Sequence, residues 1–163
     1  MTTPIPPERP ALITHLLRLA ENADRAAFAQ LRRGLGKPPG TNIGSFPYVV
    51  PFIPEADSGA ARSWPYFVVA SLFASHPNQG EAEKSVAAAV RGLKDSPSRD
   101  GRFRALLNAH VDEVGDHLRH AVNQLASSGI TFDWATLLRD LRGWGHPEQF
   151  VQRRWARDFW SEG

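Results

Sequence analysis

The sequence predicts an all-α protein. Three observations carry that prediction. Apolar residues recur at spacings of three and four through most of the chain. The one stretch with strand character, Phe46 to Phe52, contains Pro47 and Pro51, which forbid a central strand. Gly, Pro and cap residues punctuate the chain at intervals of helix length. The expected architecture is about eight helices in two small packed helical bundles, an N-terminal part over 9–94 and a C-terminal one over 98–163. The 163-residue length is enough for a packed core, and no cysteine is present to staple one.

Leu12, Ile13, Leu16, Leu17 and Ala20 share one helical face, as do Ala27, Phe28 and Leu31. Asn22 or Asp24 could cap a second helix, so 9–34 is one bent helix or two short ones. Gly34 to Gly44 is a Gly/Pro-rich loop, and Phe46 to Phe52 a short helix or an extended link. Ser63 is expected to cap an apolar helix, Trp64 to Ser75, with Pro65 tolerated in its first turn. A small-residue helix follows over 82–93. Lys94 to Gly101 holds no core residue and reads as a connection. Helices are expected over 102–109 and over 111–127, the latter with Val111, Val114, Leu118, Ala121, Val122 and Leu125 on one side and Gly129 after its end. Asp133 is expected to cap Trp134 to Trp144, and Pro147 to open a last helix to about Trp160. The longest apolar run, Tyr66 to Ala74, is about half of what a bilayer requires. Met1 to Pro10 has no apolar stretch behind a basic one, so a cytoplasmic location and no membrane contact are expected.

Charge placement is more informative than charge total. The formal net charge is +2, with 16 Arg and 3 Lys among the bases. Residues 9–37 carry +4 and residues 91–104 carry +3, leaving −5 on the rest. Two basic segments are therefore hidden under a small total. Arg18, Arg25 and Arg32 are seven apart and would align if one helix ran through them. Such faces suit a phosphate backbone, since guanidinium grips phosphate in a bidentate fork. A solvated face with ion pairs such as Glu21 to Arg25 accounts for the same pattern.

Catalytic patterns are not supported. Gly34-Leu-Gly36-Lys37-Pro38 lacks the Ser or Thr that a phosphate loop uses for magnesium, and it follows a helix rather than a strand. No Ser lies in a nucleophile elbow. His110, Glu113, His117 and His120 share a helix face and could hold a metal, which leaves a metal-dependent hydrolase as an alternative. A solvated or packed polar face beside the Val111–Leu125 stripe is the preferred explanation, and no catalytic residue, metal or cofactor is assigned. Trp64, Trp134, Trp144, Trp155 and Trp160 lie in apolar helical settings that suit core or subunit contact. A structural adaptor binding acidic protein partners is the other alternative, resting on the Trp-rich C-terminal segment.

Five segments, taken in order, carry a family resemblance. They are Ala29-Gln-Leu-Arg-Arg33, Val50-Pro-Phe52, Gly101-Arg-Phe-Arg-Ala-Leu-Leu107, Phe132-Asp-Trp-Ala-Thr-Leu-Leu138 and Trp155-Ala-Arg-Asp-Phe-Trp160. In this order and spacing the chain resembles CasB, the small subunit of the type I-E CRISPR surveillance complex, Cascade. The resemblance implies a non-enzymatic, all-helical subunit. It implies contact with crRNA, with both strands of the target DNA in the R-loop, with the large and backbone subunits, and with a second copy of itself. It also implies backbone binding without sequence preference. Arg33, Arg102 and Arg119 match basic positions of the family's nucleic-acid face, and Arg62 falls near another. Arg18, Arg25, Arg32 and Arg99 are expected in support.

Overall fold

The computed structural model describes residues 9–161; the readings that involve 1–8 and 162–163 lie outside these. Among the described residues there are nine α-helices and no strand: α1 Ala11–Glu21, α2 Arg25–Arg32, α3 Phe46–Val49, α4 Ala60–Ser75, α5 Val86–Arg91, α6 Pro97–Leu107, α7 Val114–Ser127, α8 Trp134–Arg142 and α9 Phe150–Trp160. Single 3-10 turns stand at Ile43–Ser45, Val50–Phe52 and Glu55–Asp57. The all-α prediction holds. None of these helices is long and apolar enough to cross a membrane.

α4 is the central element. Tyr66, Phe67, Val68, Val69, Ala70, Leu72, Phe73 and Ala74 are all buried, leaving it apolar nearly all round. A helix of that kind must be wrapped by others, and α1, α2, α3, α7 and α8 pack on it. α5 packs against α9, and one hydrophobic cluster runs from Leu12 to Phe159, so apolar packing crosses the segment 94–101. A polar clasp links the same regions. The Tyr66 hydroxyl donates to Asp57 Oδ2 at 2.6 Å, and Arg142 of α8 pairs with the same carboxylate at 3.0 Å. Burial, followed by that hydrogen bond to Asp57, pushes the Tyr66 phenol up to about 12.

Local signals hold where caps are made within the chain's near neighbourhood. Asp24 accepts from the Ala27 amide at 3.0 Å, and Ala23 at φ 50° separates α1 from α2. The chain between 9 and 34 is therefore two helices, and Arg18 does not continue the Arg25–Arg32 face. Asp133 caps α8 as expected.

Several boundaries differ from the expectations, and α7 starts at Val114 rather than Val111, with Val111 to Glu113 forming a turn before it. α4 starts at Ala60 with Gly59 before it, so Ser63 is a buried interior residue and Pro65 lies inside the helix. Ala60-Ala61-Arg62 are strong helix formers and extend the helix past the missing Pro65 donor. α5 is shorter than 82–93, because the backbone before it is held elsewhere. The Glu83 amide donates to Asp133 Oδ2 at 2.9 Å, and the Lys84 carbonyl accepts from the Asp133 amide at 2.9 Å. The helix then starts where Ser85 caps Ala88 at 3.0 Å. Residues 97–101 are helical rather than a connection, because Ser96 caps the Arg99 amide at 3.1 Å and Pro97 fits the first helical position. α9 begins at Phe150, not at Pro147. The Glu148 amide donates to His146 Nδ1 at 3.1 Å and Gln149 adopts φ 52°, a local turn that competes with helix.

Gly80 marks the closest backbone approach. A Cβ there would lie 2.5 Å from the Phe132 amide nitrogen, and its own amide donates to the Phe132 carbonyl at 2.8 Å. This seats the 76–85 segment against the start of α8, where Asp133 also accepts from Gln79 at 2.9 Å and Thr136 at 2.8 Å. Burial raises the Asp133 pKa, but the hydrogen bonds from Glu83, Thr136, Gln79 and Ala135 outweigh it and hold the carboxyl below its ordinary 3.8. A depressed folded-state pKa means that the stabilisation is complete above 3.8 and is lost as pH falls through the folded value. Asp133→Ala is thus expected to cost about 2 kcal/mol near pH 7, from the lost cap and the orphaned donors. In urea titrations repeated down to about pH 2.5, the gap to the parent chain should narrow.

Candidate nucleic-acid interface

Arg33 stands at the end of α2 and opens the Gly/Pro loop. It is exposed, and its only side-chain partner among the described residues is Gln30 Oε1 at 3.4 Å. The loop turns at Gly36 (φ 76°) and Gly40 (φ 79°), conformations that glycine adopts without strain. It folds over α4 and reaches the first half of α7. A Cβ on Gly36 would lie 3.3 Å from Arg119 Nη1, so the Arg119 guanidinium lies directly against the loop backbone. Lys37 is exposed on the same loop. Beneath it is a hollow of about 380 Å³, with Phe67, Val68 and Leu72 as its floor and Lys37, Asp112, Asp116 and Arg119 among its lining.

A second hollow, of about 390 Å³, opens between α6 and the other half of α7. Lys94, Arg99 and Arg102 line one side; Asn123, Gln124, Ser127 and Ser128 line the other. Gly115, Arg119, Asn123 and Ser127 are spaced four apart and climb one side of α7. α7 therefore contributes to both hollows, with Arg119 in the first and Asn123 in the second, about 6 Å further along the axis. The end of α4 is tied to this stripe where His76 Nε2 meets Asn123 Oδ1 at 2.7 Å. The result is two hollows joined by a polar helix face: the first sets Lys37 and Arg119 against Asp112 and Asp116, and the second is cationic, with Lys94, Arg99 and Arg102.

The other predicted arginines are placed differently. Arg32 donates to the Ala74 carbonyl at 3.2 Å and fastens α2 to the end of α4. Arg99 is largely enclosed. It donates to the carbonyls of Arg91 and Leu93 at 3.0 and 3.1 Å, pairs with Asp95 and Asp100 at 3.1 and 3.3 Å, and lies 4.8 Å over the Phe159 ring. Its donors hold the 91–100 connection together, so it shapes the second hollow more than it offers charge to it. Arg18 lies in a separate groove with Arg9, beside His15, which stacks on Phe52 at 3.8 Å. Burial, then the Arg18 guanidinium, lowers the His15 pKa from 6.5 and keeps the ring neutral near pH 7. Arg25 and Arg62 are exposed at the starts of α2 and α4 and line none of these hollows. Lys37, Lys94 and Asn123 are site residues that sequence reasoning missed. The two lysines had counted in the basic segments, whereas Asn123 carried no signal.

His110, Glu113, His117 and His120 do not converge. Among the described residues no three His, Asp or Glu side chains form a group able to hold a metal ion. His110 instead faces Asp112, 3.4 Å away. Trp134, Trp144 and Trp155 are core residues, and Trp160 lies at the surface under Arg104, whose guanidinium is 5.0 Å from its ring.

Residues 27–160 match the family of CRISPR-associated protein Cse2. The chain belongs to the Cse2 family. A curated Cse2 from Thermus thermophilus is 38% identical over 144 residues, 88% of this chain and 83% of that one. The crystal structure of CasB from Thermus thermophilus superposes with a TM-score of 0.82 at 35% identity, covering 93% of this chain and 96% of that chain. A chain of a CRISPR RNA-guided surveillance complex is similar at TM-score 0.74 and 27% identity, with 91% and 89% covered. The CasB resemblance read from the five segments is thereby confirmed: all five lie within the Cse2 match, and four of them form parts of α2, α6, α8 and α9.

Proposed function

We propose that this Cse2-family chain is the small subunit of a type I-E Cascade complex and acts there as a non-enzymatic clamp on nucleic-acid backbone. The observation that supports it best is the pair of hollows joined along α7, with Lys37 and Arg119 lining one, Arg33 exposed where its loop begins, and Lys94 and Arg102 lining the other, which carries no acidic residue. Similarity to a chain of a CRISPR RNA-guided surveillance complex supports the setting. In this reading crRNA and target DNA supply the phosphates, while the large and backbone subunits and a second copy are the protein neighbours. Base pairing reads sequence and this chain holds backbone, which favours the open R-loop by binding its strands. The 9–94 and 98–163 parts then act as two supports of one face, bridged by α7.

Gel shifts of the purified chain with single- and double-stranded DNA and with RNA test this. Unrelated sequences of the same base composition should bind with similar affinity, and log K should fall linearly with log salt. Strong sequence dependence, or binding insensitive to salt, would contradict backbone capture.

A second reading, an adaptor that contacts only proteins, is favoured by the exposed apolar side chains of Ile43, Val50, Phe150 and Trp160. Pull-down of the other subunits after nuclease digestion separates the two. Full retention without nucleic acid, together with no gel shift, would select the adaptor.

A further inference from the structure

The first hollow has a chemistry that phosphate binding does not use. Its floor is the buried apolar surface of Phe67, Val68 and Leu72. Its volume, about 380 Å³, lies within the range of small-molecule sites. Glycine lets the roof come close to α4: a Cβ on Gly34 would lie 2.8 Å from Ser71 Oγ. The rim mixes signs. Asp116 is exposed beside Arg119 and Lys37 and makes no ion pair among the described residues. A carboxylate at this place repels phosphate, so a backbone clamp alone gives it nothing to do.

Of the two carboxylates on the rim, Asp112 faces His110 at 3.4 Å, so an apolar slot, two cations and the carboxylate of Asp116, unpaired among the described residues, together fit one nucleotide unit. The slot takes the flat faces of a base, as aromatic and apolar platforms do for single strands. The cations face its phosphate. The carboxylate accepts N–H groups and nothing else while ionised. Guanine alone offers two adjacent donors, N1–H and the N2 amine, to a two-oxygen acceptor. Adenine and cytosine offer one donor beside an acceptor, and thymine sets its single N–H between two oxygens that repel a carboxylate. We propose that the hollow under the 34–42 loop receives the guanine base of a nucleotide, with Asp116 accepting from its N–H edge and Arg119 and Lys37 facing its phosphate. This rests on the backbone-binding reading and adds a local base preference to it.

The test compares an oligo-dT strand with the same strand carrying one central dG, bound to the full chain and to Asp116→Asn. The dG strand should bind about tenfold tighter to the parent chain, the value of one good paired base contact. Asp116→Asn should erase that advantage while oligo-dT binds as well as before or slightly better, since a negative charge has gone. Equal binding of both strands by the parent chain overturns the base site and leaves backbone capture standing, and a dG advantage that survives Asp116→Asn also overturns it. If neither strand binds, backbone capture has failed, and a titration with GMP decides the hollow by itself. Amide shifts at Gly36 and Gly115 in the parent chain but not in Asp116→Asn keep it as a site for free guanine nucleotide; no shifts overturn it.

Discussion

Replacing Arg33 and Arg102 together by alanine is expected to flatten the salt dependence of DNA binding and to weaken it equally on unrelated sequences. Arg33 is exposed at the end of α2, next to the loop that covers the first hollow, and Arg102 lines the second hollow. Both are exposed, and neither makes an ion pair among the described residues. Removing them should therefore leave the fold alone and act on the ligand. Each phosphate contact contributes about −0.9 to the log–log salt slope on duplex and about −0.7 on single strands. Two lost contacts flatten the slope by about 1.8 or 1.4. If parent and variant converge near 1 M salt, the variant binds about 25- to 60-fold more weakly near 0.1 M. Arg99→Ala is the informative contrast. Its guanidinium holds carbonyls and carboxylates of the 91–100 connection, so that substitution should lower thermal stability without an equal change in slope. A double variant with an unchanged slope would remove both residues from the interface.

Trp155→Ala is expected to be the most destabilising single change. Trp155 is fully buried where α9 meets α8, edge-on to Trp144 with ring centroids 5.1 Å apart. Its indole N–H donates to Asp140 Oδ2 at 2.8 Å, and Arg154 pairs with the other oxygen. Burial pushes the Asp140 pKa up, and the bonds from Trp155 and Arg154 pull it back only in part. A raised folded-state pKa makes this carboxylate's contribution fall as pH rises from 3.8 through the folded value, the reverse of Asp133. Truncating Trp155 opens a large cavity and takes a donor from a buried carboxylate. The cost is about 3–5 kcal/mol, or a Tm drop of about 6–20 °C for a chain of this size. Trp155→Phe keeps most of the volume and loses only the N–H, so it should cost about 1–3 kcal/mol. Equal losses in the two variants would show that the hydrogen bond, rather than packing, dominates.

Elements whose start signals lie within three or four residues were legible. Asp24 and Asp133 are caps that the sequence displays, and both cap. Ser96-Pro97 is an equally local signal, hidden because the stretch around it has no core residue to mark it as helix. The truncated α5 was not legible. Its length depends on Glu83 bonding to Asp133, fifty residues away in sequence. The site divides in the same way. Arg33 and Arg102 were found from basic segments and from resemblance, whereas Asn123 and Asp116 emerged only when α7 was seen lining both hollows.

From the sequence by itself came the all-α class, the two basic segments and membership in the Cse2 family, because periodicity, caps and motif order are properties of neighbouring residues. Only the tertiary structure decided which arginines are free to meet a ligand. Arg32 is bound to the Ala74 carbonyl, 42 residues on, while Arg119 is brought against Gly36 of a loop far from it in the chain. A guanidinium's partners are chosen by whatever surface packs beside it, and that surface is assembled by the burial of α4, not by the residues on either side of the arginine.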